Sequence, residues 1–356
     1  MMIKRVFFSH TNFGDSSMHT NSKTSSSYLI MYILSVSFFI NRILTRYIFE
    51  NVGKLGWLII LAVSLLIILC CPFIYQGIRK IQLKKVKGHL NIVSNLSLYL
   101  YLISSSIIVL IFLSTLINVN WLKETRYIFI LLPLLGGLYY LNKYPKDVFL
   151  RLATLFSFPI LFQYLIFIFS KNKSFDLYAL IPFKITIDKP YIIVITLIHM
   201  VLQMFTILLY IDDNEQIITK KQYYLSCLII VFSLIVDSII ITGQFGNTIS
   251  FFPFIYYESW CLLTFGQYIG YLDILSFFYW ITSSFCFMGL NMYLTSKYFP
   301  KRYYQLSYLL ILLITLYILT HGIYYHIVKP ILLLLCTLCL LLSIVGKYKE
   351  LSKNET

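Results

Sequence analysis

Charge is what this sequence has least of. Charged residues make up 12% of its 356 positions, about half the share an ordinary soluble domain carries. No polar stretch is long enough to fold as a separate soluble domain. Acidic residues are the scarcer sign, 14 against 29 Lys and Arg, which leaves a formal net charge of +15. The basic residues stand in short clusters between apolar runs and not on one continuous face, which excludes nucleic acid as the partner. There is no glycine-rich phosphate loop, no nucleophile motif and no pair of carboxylates inside an apolar run, so no catalytic residue and no cofactor is assigned. The seven cysteines, Cys70, Cys71, Cys227, Cys261, Cys286, Cys336 and Cys339, lie almost entirely in apolar runs. Cys336 and Cys339 form a CxxC, but within a hydrophobic helix they read as small apolar residues and not as a redox or metal motif.

What is present is hydrocarbon. Apolar residues are 59% of the chain, and the mean hydropathy is +0.80. A bilayer crossing needs roughly 20 mostly apolar residues. Runs of that kind fall at 26–47, 57–75, 93–117, 127–142, 152–169, 191–211, 223–243, 271–294, 305–321 and 330–346. The fold class is therefore all-α, a polytopic membrane protein of about ten transmembrane helices. Residues 1–25 read as a polar tail and not a signal peptide, 26–346 as the membrane domain and 347–356 as a C-terminal tail. Thr24 to Ser27 offers N-cap oxygens to the first span. Pro133 with Gly136 and Gly137 predicts a kink or close packing in the fourth.

Of the 29 Lys and Arg, 19 fall on the two tails and on the loops after the second, fourth, sixth and eighth runs. The positive-inside rule then places both termini in the cytoplasm. On that topology the outer loop from Gly243 to Gly270 has no basic residue and only Glu258 as a charge. It is expected to lie along the outer surface as an aromatic lid.

Several polar residues sit inside the runs. Asp237, in SLIVDSIII, costs about 2.5–3.5 kcal/mol on insertion scales unless it meets a partner or a cavity; Arg42 and Arg46 in the first run are candidate partners. His199 and Gln203 are one turn apart and share a face. By position they make either a polar interhelical contact or a ligand contact. Ser35, Ser37 and Ser104 to Ser106 supply hydroxyls, and single serines in spans more often bond their own helix. Asp212, Asp213 and Glu215 read as a solvated loop. His321 and His326, five apart, lack the one-turn spacing of a helical metal pair, and no metal ligand is assigned.

One stretch, Phe251 to Phe299, carries a family signature. Phe252-Pro253, Gly266, Leu272-Asp273, Trp280 seven residues beyond the Asp, and Tyr293 stand in the order and approximate spacing seen in the endospore germination permeases. The chain resembles that family, the B subunits of spore germinant receptors. Gly270 and Tyr271 stand where the family has an acidic and a basic residue. The resemblance implies the amino-acid/polyamine transporter fold, a LeuT-like pair of inverted five-helix repeats with a ligand held near mid-membrane. It implies a ligand-sensing subunit in the spore inner membrane, contacting lipid, with A-type and C-type partner subunits and a small germinant, an amino acid by preference. On that fold Ser35, Ser37, Ser104, His199, Gln203, Tyr279 and Thr282 are the expected ligand contacts. A secondary transporter of amino acids on the same fold, and a multipass enzyme of envelope polysaccharide synthesis, are the competing expectations.

Overall fold

The structure is a computed structural model that describes residues 38–84, 92–143, 148, 151, 175–181, 187–210, 218–262, 273–322 and 328–353. Every regular element among them is helical. The α-helices are α1 (Phe38–Val52), α2 (Gly56–Lys84), α3 (Ile92–Asn120), α4 (Tyr127–Leu141), α5 (Pro190–Phe205) and α6 (Ile207–Tyr210). They continue with α7 (Lys220–Phe245), α8 (Ile255–Cys261), α9 (Asp273–Tyr298), α10 (Lys301–His321) and α11 (Lys329–Lys353). In hydrocarbon every backbone N–H and C=O must be satisfied within the protein, and a helix does this segment by segment.

Local sequence marks the helix ends. Thr219 and Gln222 form a reciprocal capping box at the start of α7, which satisfies two of the free N–H groups there. Pro190 opens α5, where its missing N–H costs nothing. A single 3-10 turn, Gly53–Leu55, separates α1 from α2, and Gly53 takes φ 57° there, a conformation that only glycine adopts cheaply.

Among the described residues, six helical stretches are long and apolar enough to cross a membrane: Phe39–Lys80, Val93–Asn120, Pro190–Leu209, Lys220–Phe251, Arg302–His321 and Lys329–Lys349. The chain is thus an all-α, multi-pass membrane protein. α4, at 15 residues, falls short of that length. It runs through Pro133, and Gly137 brings it against Phe285 of α9, where an added Cβ would stand 3.3 Å from the ring. The expected run at 152–169 lies outside the described residues, as do Ser35 and Ser37 and the acidic Asp212, Asp213 and Glu215. α11 continues past 346, where the C-terminal tail was expected to begin, as far as Lys353.

α3 is the central helix. Of its apolar window 89% is buried, against 22% for α10, and it packs against α4, α9, α10 and α11. α1 lies against α2, α5, α7 and α9 and is buried without interruption from Phe39 to Phe49. The outer helices expose apolar stripes, such as Leu65, Leu69 and Phe73 on α2 and Leu309, Leu313 and Tyr317 on α10. At helical spacing these form faces suited to lipid.

Candidate functional site

α3 turns Tyr101 and the serines Ser104 to Ser106 toward three other helices. Tyr101 donates from its hydroxyl to Gln203 Oε1 on α5 at 3.1 Å. Asn291 of α9 donates from Nδ2 to Ser105 at 3.0 Å and to Ser106 at 3.1 Å. The Cys336 thiol of α11 donates to Ser104 Oγ at 2.9 Å. Ser104 in turn donates to the carbonyl of Leu100 at 2.7 Å, the i−4 bond expected of a serine in a span.

Where these helices cross they leave a cavity of about 20 Å³, room for about one water molecule. Ile40, Ile43 and Leu44 of α1 line one wall and Ser105, Ile108 and Val109 of α3 another; His199 and Gln203, Phe287, Leu333 and Cys336 complete it. His199 Nδ1 lies 3.0 Å from Thr337 Oγ1 on α11. The Thr337 hydroxyl gives its own proton to the Leu333 carbonyl at 2.7 Å. Its oxygen can therefore only accept from the ring, so the proton sits on Nδ1 and Nε2 is left as an acceptor. Gln203 Oε1 is engaged by Tyr101, which leaves the Gln203 amide NH₂ as a donor. α5 thus offers the cavity one acceptor and one donor; Ser105 and Cys336, the other polar groups of the lining, are hydrogen-bonded to Leu102 and Asn291 and to Ser104, and the remaining wall is apolar.

The far face of α1 carries charge. Arg42, Arg46 and Glu50 recur every fourth residue and so lie along one side of the helix. Arg42 Nε donates to Asp237 Oδ2 of α7 at 2.7 Å, with both side chains buried. The Arg42 guanidinium lies 5.3 Å from the ring centroids of both Tyr256 and Tyr279, a geometry that favours a cation over the ring faces. Arg46 Nε donates to Glu50 at 2.8 Å, and the other oxygen of Glu50 accepts from Lys329 of α11. Lys329 Nζ sits 3.9 Å from the Tyr47 ring centroid. α1 is thereby tied by charge to α7 on one side and to α11 on the other.

Beside the Arg42–Asp237 pair lies the aromatic segment, and here the lid expectation is corrected. The segment 246–261 forms a 3-10 turn (Gly246–Phe251) and α8. Ile249, Phe254, Ile255, Tyr256, Tyr257, Ser259 and Trp260 are all buried. These side chains pack into the bundle and do not lie along its surface, while Phe251 stays exposed; residues 263–270 of the expected lid lie outside the described residues. Trp280 is the anchor of the segment, with ring centroids 4.9 Å from Phe112, 5.4 Å from Phe39 and 6.4 Å from Tyr256. Phe254 packs on Phe112 at 5.4 Å, and the Tyr256 and Thr45 hydroxyls are hydrogen-bonded. Glu258, half-buried on α8, has its carboxyl pushed above the ordinary range by that burial. Aromatic side chains bury large apolar areas and pair in tilted or edge-to-face contacts, and this cluster supplies both.

Of the expected ligand contacts, His199 and Gln203 line the cavity; Ser104 does not, and meets it only through its hydrogen bond with Cys336, while its neighbour Ser105 forms the wall. Tyr279 is buried on α9 beside Arg42 and does not line it. The Thr282 hydroxyl bonds the Phe278 carbonyl of its own helix, and Thr282 stands apart from the lining. Sequence reasoning missed Tyr101, Asn291 and Thr337, and it took Cys336 for an inert apolar residue. Asn291 alone carried a readable signal, a carboxamide within an apolar run. Glu50 and Lys329 were also missed, because each sits at the end of a run, where charge is ordinary. Comparison with protein-family models, curated proteins and solved structures finds no match to this chain.

Proposed function

We propose that this chain is the ligand-sensing membrane subunit of a spore germinant receptor, which binds a small nutrient molecule and passes the signal to A-type and C-type partner subunits. The observation that carries the reading is the cavity at the crossing of α1, α3, α5, α9 and α11, with His199 and Gln203 presenting opposite hydrogen-bonding senses in a mostly apolar wall. Ligand sites in helical membrane bundles sit where helices cross near the middle of the bundle. The order of Phe252-Pro253, Trp280 and Tyr293 supports the same reading. So does the spatial link between its parts: Trp280 meets Phe112, which meets Phe254 next to that Phe-Pro.

The proposal includes ten spans in two inverted five-helix repeats, both termini in the cytoplasm and the spore inner membrane as the site of action. These follow from the apolar runs, the distribution of basic residues and the family resemblance. Signal transfer runs through α1, which has the cavity on one face and the charged groups on the other.

The test is the germination of spores lacking the chain, followed as loss of optical density against nutrient concentration. Loss of the response to at least one nutrient is expected, with germination by other routes retained. Full response to every nutrient that triggers the parent spores overturns the reading. Saturable uptake of a labelled solute by proteoliposomes of the chain alone favours the secondary transporter.

A further inference from the structure

Resting on the cavity as the ligand site, we infer that its ligand is an uncharged molecule with adjacent hydrogen-bond donor and acceptor groups on an aliphatic body, such as a primary amide or an alcohol, and not a zwitterionic amino acid. The described residues that line the cavity include no Asp, Glu, Lys or Arg. Among the described residues, Arg42 with Asp237, and Glu50 with Arg46 and Lys329, are engaged with one another on the opposite face of α1, and the buried Lys347 of α11 does not line the cavity.

An ammonium or a carboxylate brought into this cavity leaves water and finds no opposite charge, and a buried charge without a partner is the costlier burial by several-fold over a neutral polar group. A neutral group meets a matched pair. Gln203 NH₂ donates to a carbonyl or hydroxyl oxygen of the ligand, and the ligand's N–H or O–H donates to His199 Nε2. His199 and Gln203 are one turn apart on α5, so the two bonds reach neighbouring atoms of one functional group. Ile40, Ile43, Leu44, Ile108, Leu333 and Phe287 give the rest of the molecule an aliphatic and aromatic wall.

The cavity as it stands holds about one water, so any nutrient enters only as the helices part. That cost is common to molecules of one carbon skeleton and cancels when they are compared.

The experiment uses the full chain purified in detergent and three probes on one skeleton: 4-methylpentanamide, which is uncharged, 4-methylpentanoate, an anion, and L-leucine, a zwitterion. Binding is titrated by the concentration dependence of the thermal melting temperature at neutral pH. 4-Methylpentanamide is expected to bind at least about tenfold more tightly than either charged probe. Gln203→Leu and, as a second variant of unbranched shape, Gln203→Met should each weaken it by about tenfold, the loss of one hydrogen bond. L-Leucine or the pentanoate binding as tightly as the amide overturns the inference and leaves the receptor reading standing. No measurable binding of the amide to the wild-type chain overturns it also. Amide binding that Gln203→Leu and Gln203→Met both leave intact overturns the assignment to this cavity. A normal germination response in spores lacking the chain removes the receptor reading alone, since amide selectivity of the purified chain does not depend on it.

Discussion

Arg42 and Asp237, 195 positions apart in the chain, form a fully buried ion pair with an N–O distance of 2.7 Å. Two tyrosine rings stand over the guanidinium. Burying either charge alone is costly, and the pair persists because each member removes the other's penalty.

The first prediction follows from that balance. Asp237→Ala leaves Arg42 buried beside an uncharged neighbour and should destabilise the protein by about 3–5 kcal/mol. The double change Asp237→Leu with Arg42→Met removes both charges and should recover most of the loss. Thermal unfolding in detergent, followed by helical circular dichroism, measures both. A double variant as unstable as Asp237→Ala would show that the pair does more than cancel charge.

Arg46, Glu50 and Lys329 make a triad, and Glu50 is its centre. Glu50→Ala leaves Arg46 and Lys329 as neighbouring cations, so it should cost more than Lys329→Met, which leaves Glu50 still engaged by Arg46. A double-mutant cycle on Glu50 and Lys329 should return a coupling energy of about 0.5–3 kcal/mol. Additive effects would deny that the contact ties α1 to α11.

Trp280 joins α1, α3 and α8 through Phe39, Phe112 and Tyr256. Trp280→Ala should cost about 3–5 kcal/mol, and the segment 246–261 should loosen first because its anchor is gone. A cysteine placed at Ser259, buried in the native protein, should react with a water-soluble maleimide faster in the Trp280→Ala background. Equal rates in both backgrounds would place the anchor elsewhere.

Gly346 of α11 faces Ser94 of α3 so closely that an added Cβ would stand 2.6 Å from the Ser94 Cβ. Small residues at helix crossings let membrane helices approach. Gly346→Ala should therefore destabilise by about 1–3 kcal/mol, the usual cost of overpacking. Adding Ser94→Gly should relieve most of it, as read by the same melting experiment.

Gln203 lines the cavity, and Thr282 bonds its own helix and stands apart from it. Germination dose–response curves of spores carrying each variant at normal level should therefore differ. Gln203→Leu should raise the half-saturating nutrient concentration about tenfold, for loss of one hydrogen bond. Thr282→Val should leave it unchanged. An equal shift in both would move the site toward α9.

The amino-acid sequence by itself determined that this is an all-α, multi-pass membrane protein, because the length and apolarity of a run are local properties that set how it partitions into a bilayer. It also marked Asp237 as a residue that must meet a partner or a cavity, since the cost of a lone charge in hydrocarbon is independent of the fold. What the tertiary structure alone decided is which groups meet. In a water-soluble helix the polar stripe reveals the inward face by contrast. In a membrane helix lipid is as apolar as the core, so the sequence gives no equivalent contrast and helix rotation is set by side-chain packing. For that reason the choice of Arg42 over Arg46 for Asp237 was legible only in three dimensions. The same holds for the engagement of Glu50 by Lys329, the role of Cys336 in a polar wall and the insertion of 246–261 into the bundle. His199 and Gln203 shared a face in the sequence; that Tyr101 and Thr337 hold them, and leave one acceptor and one donor for the cavity, depends on helices α3 and α11 packed against α5.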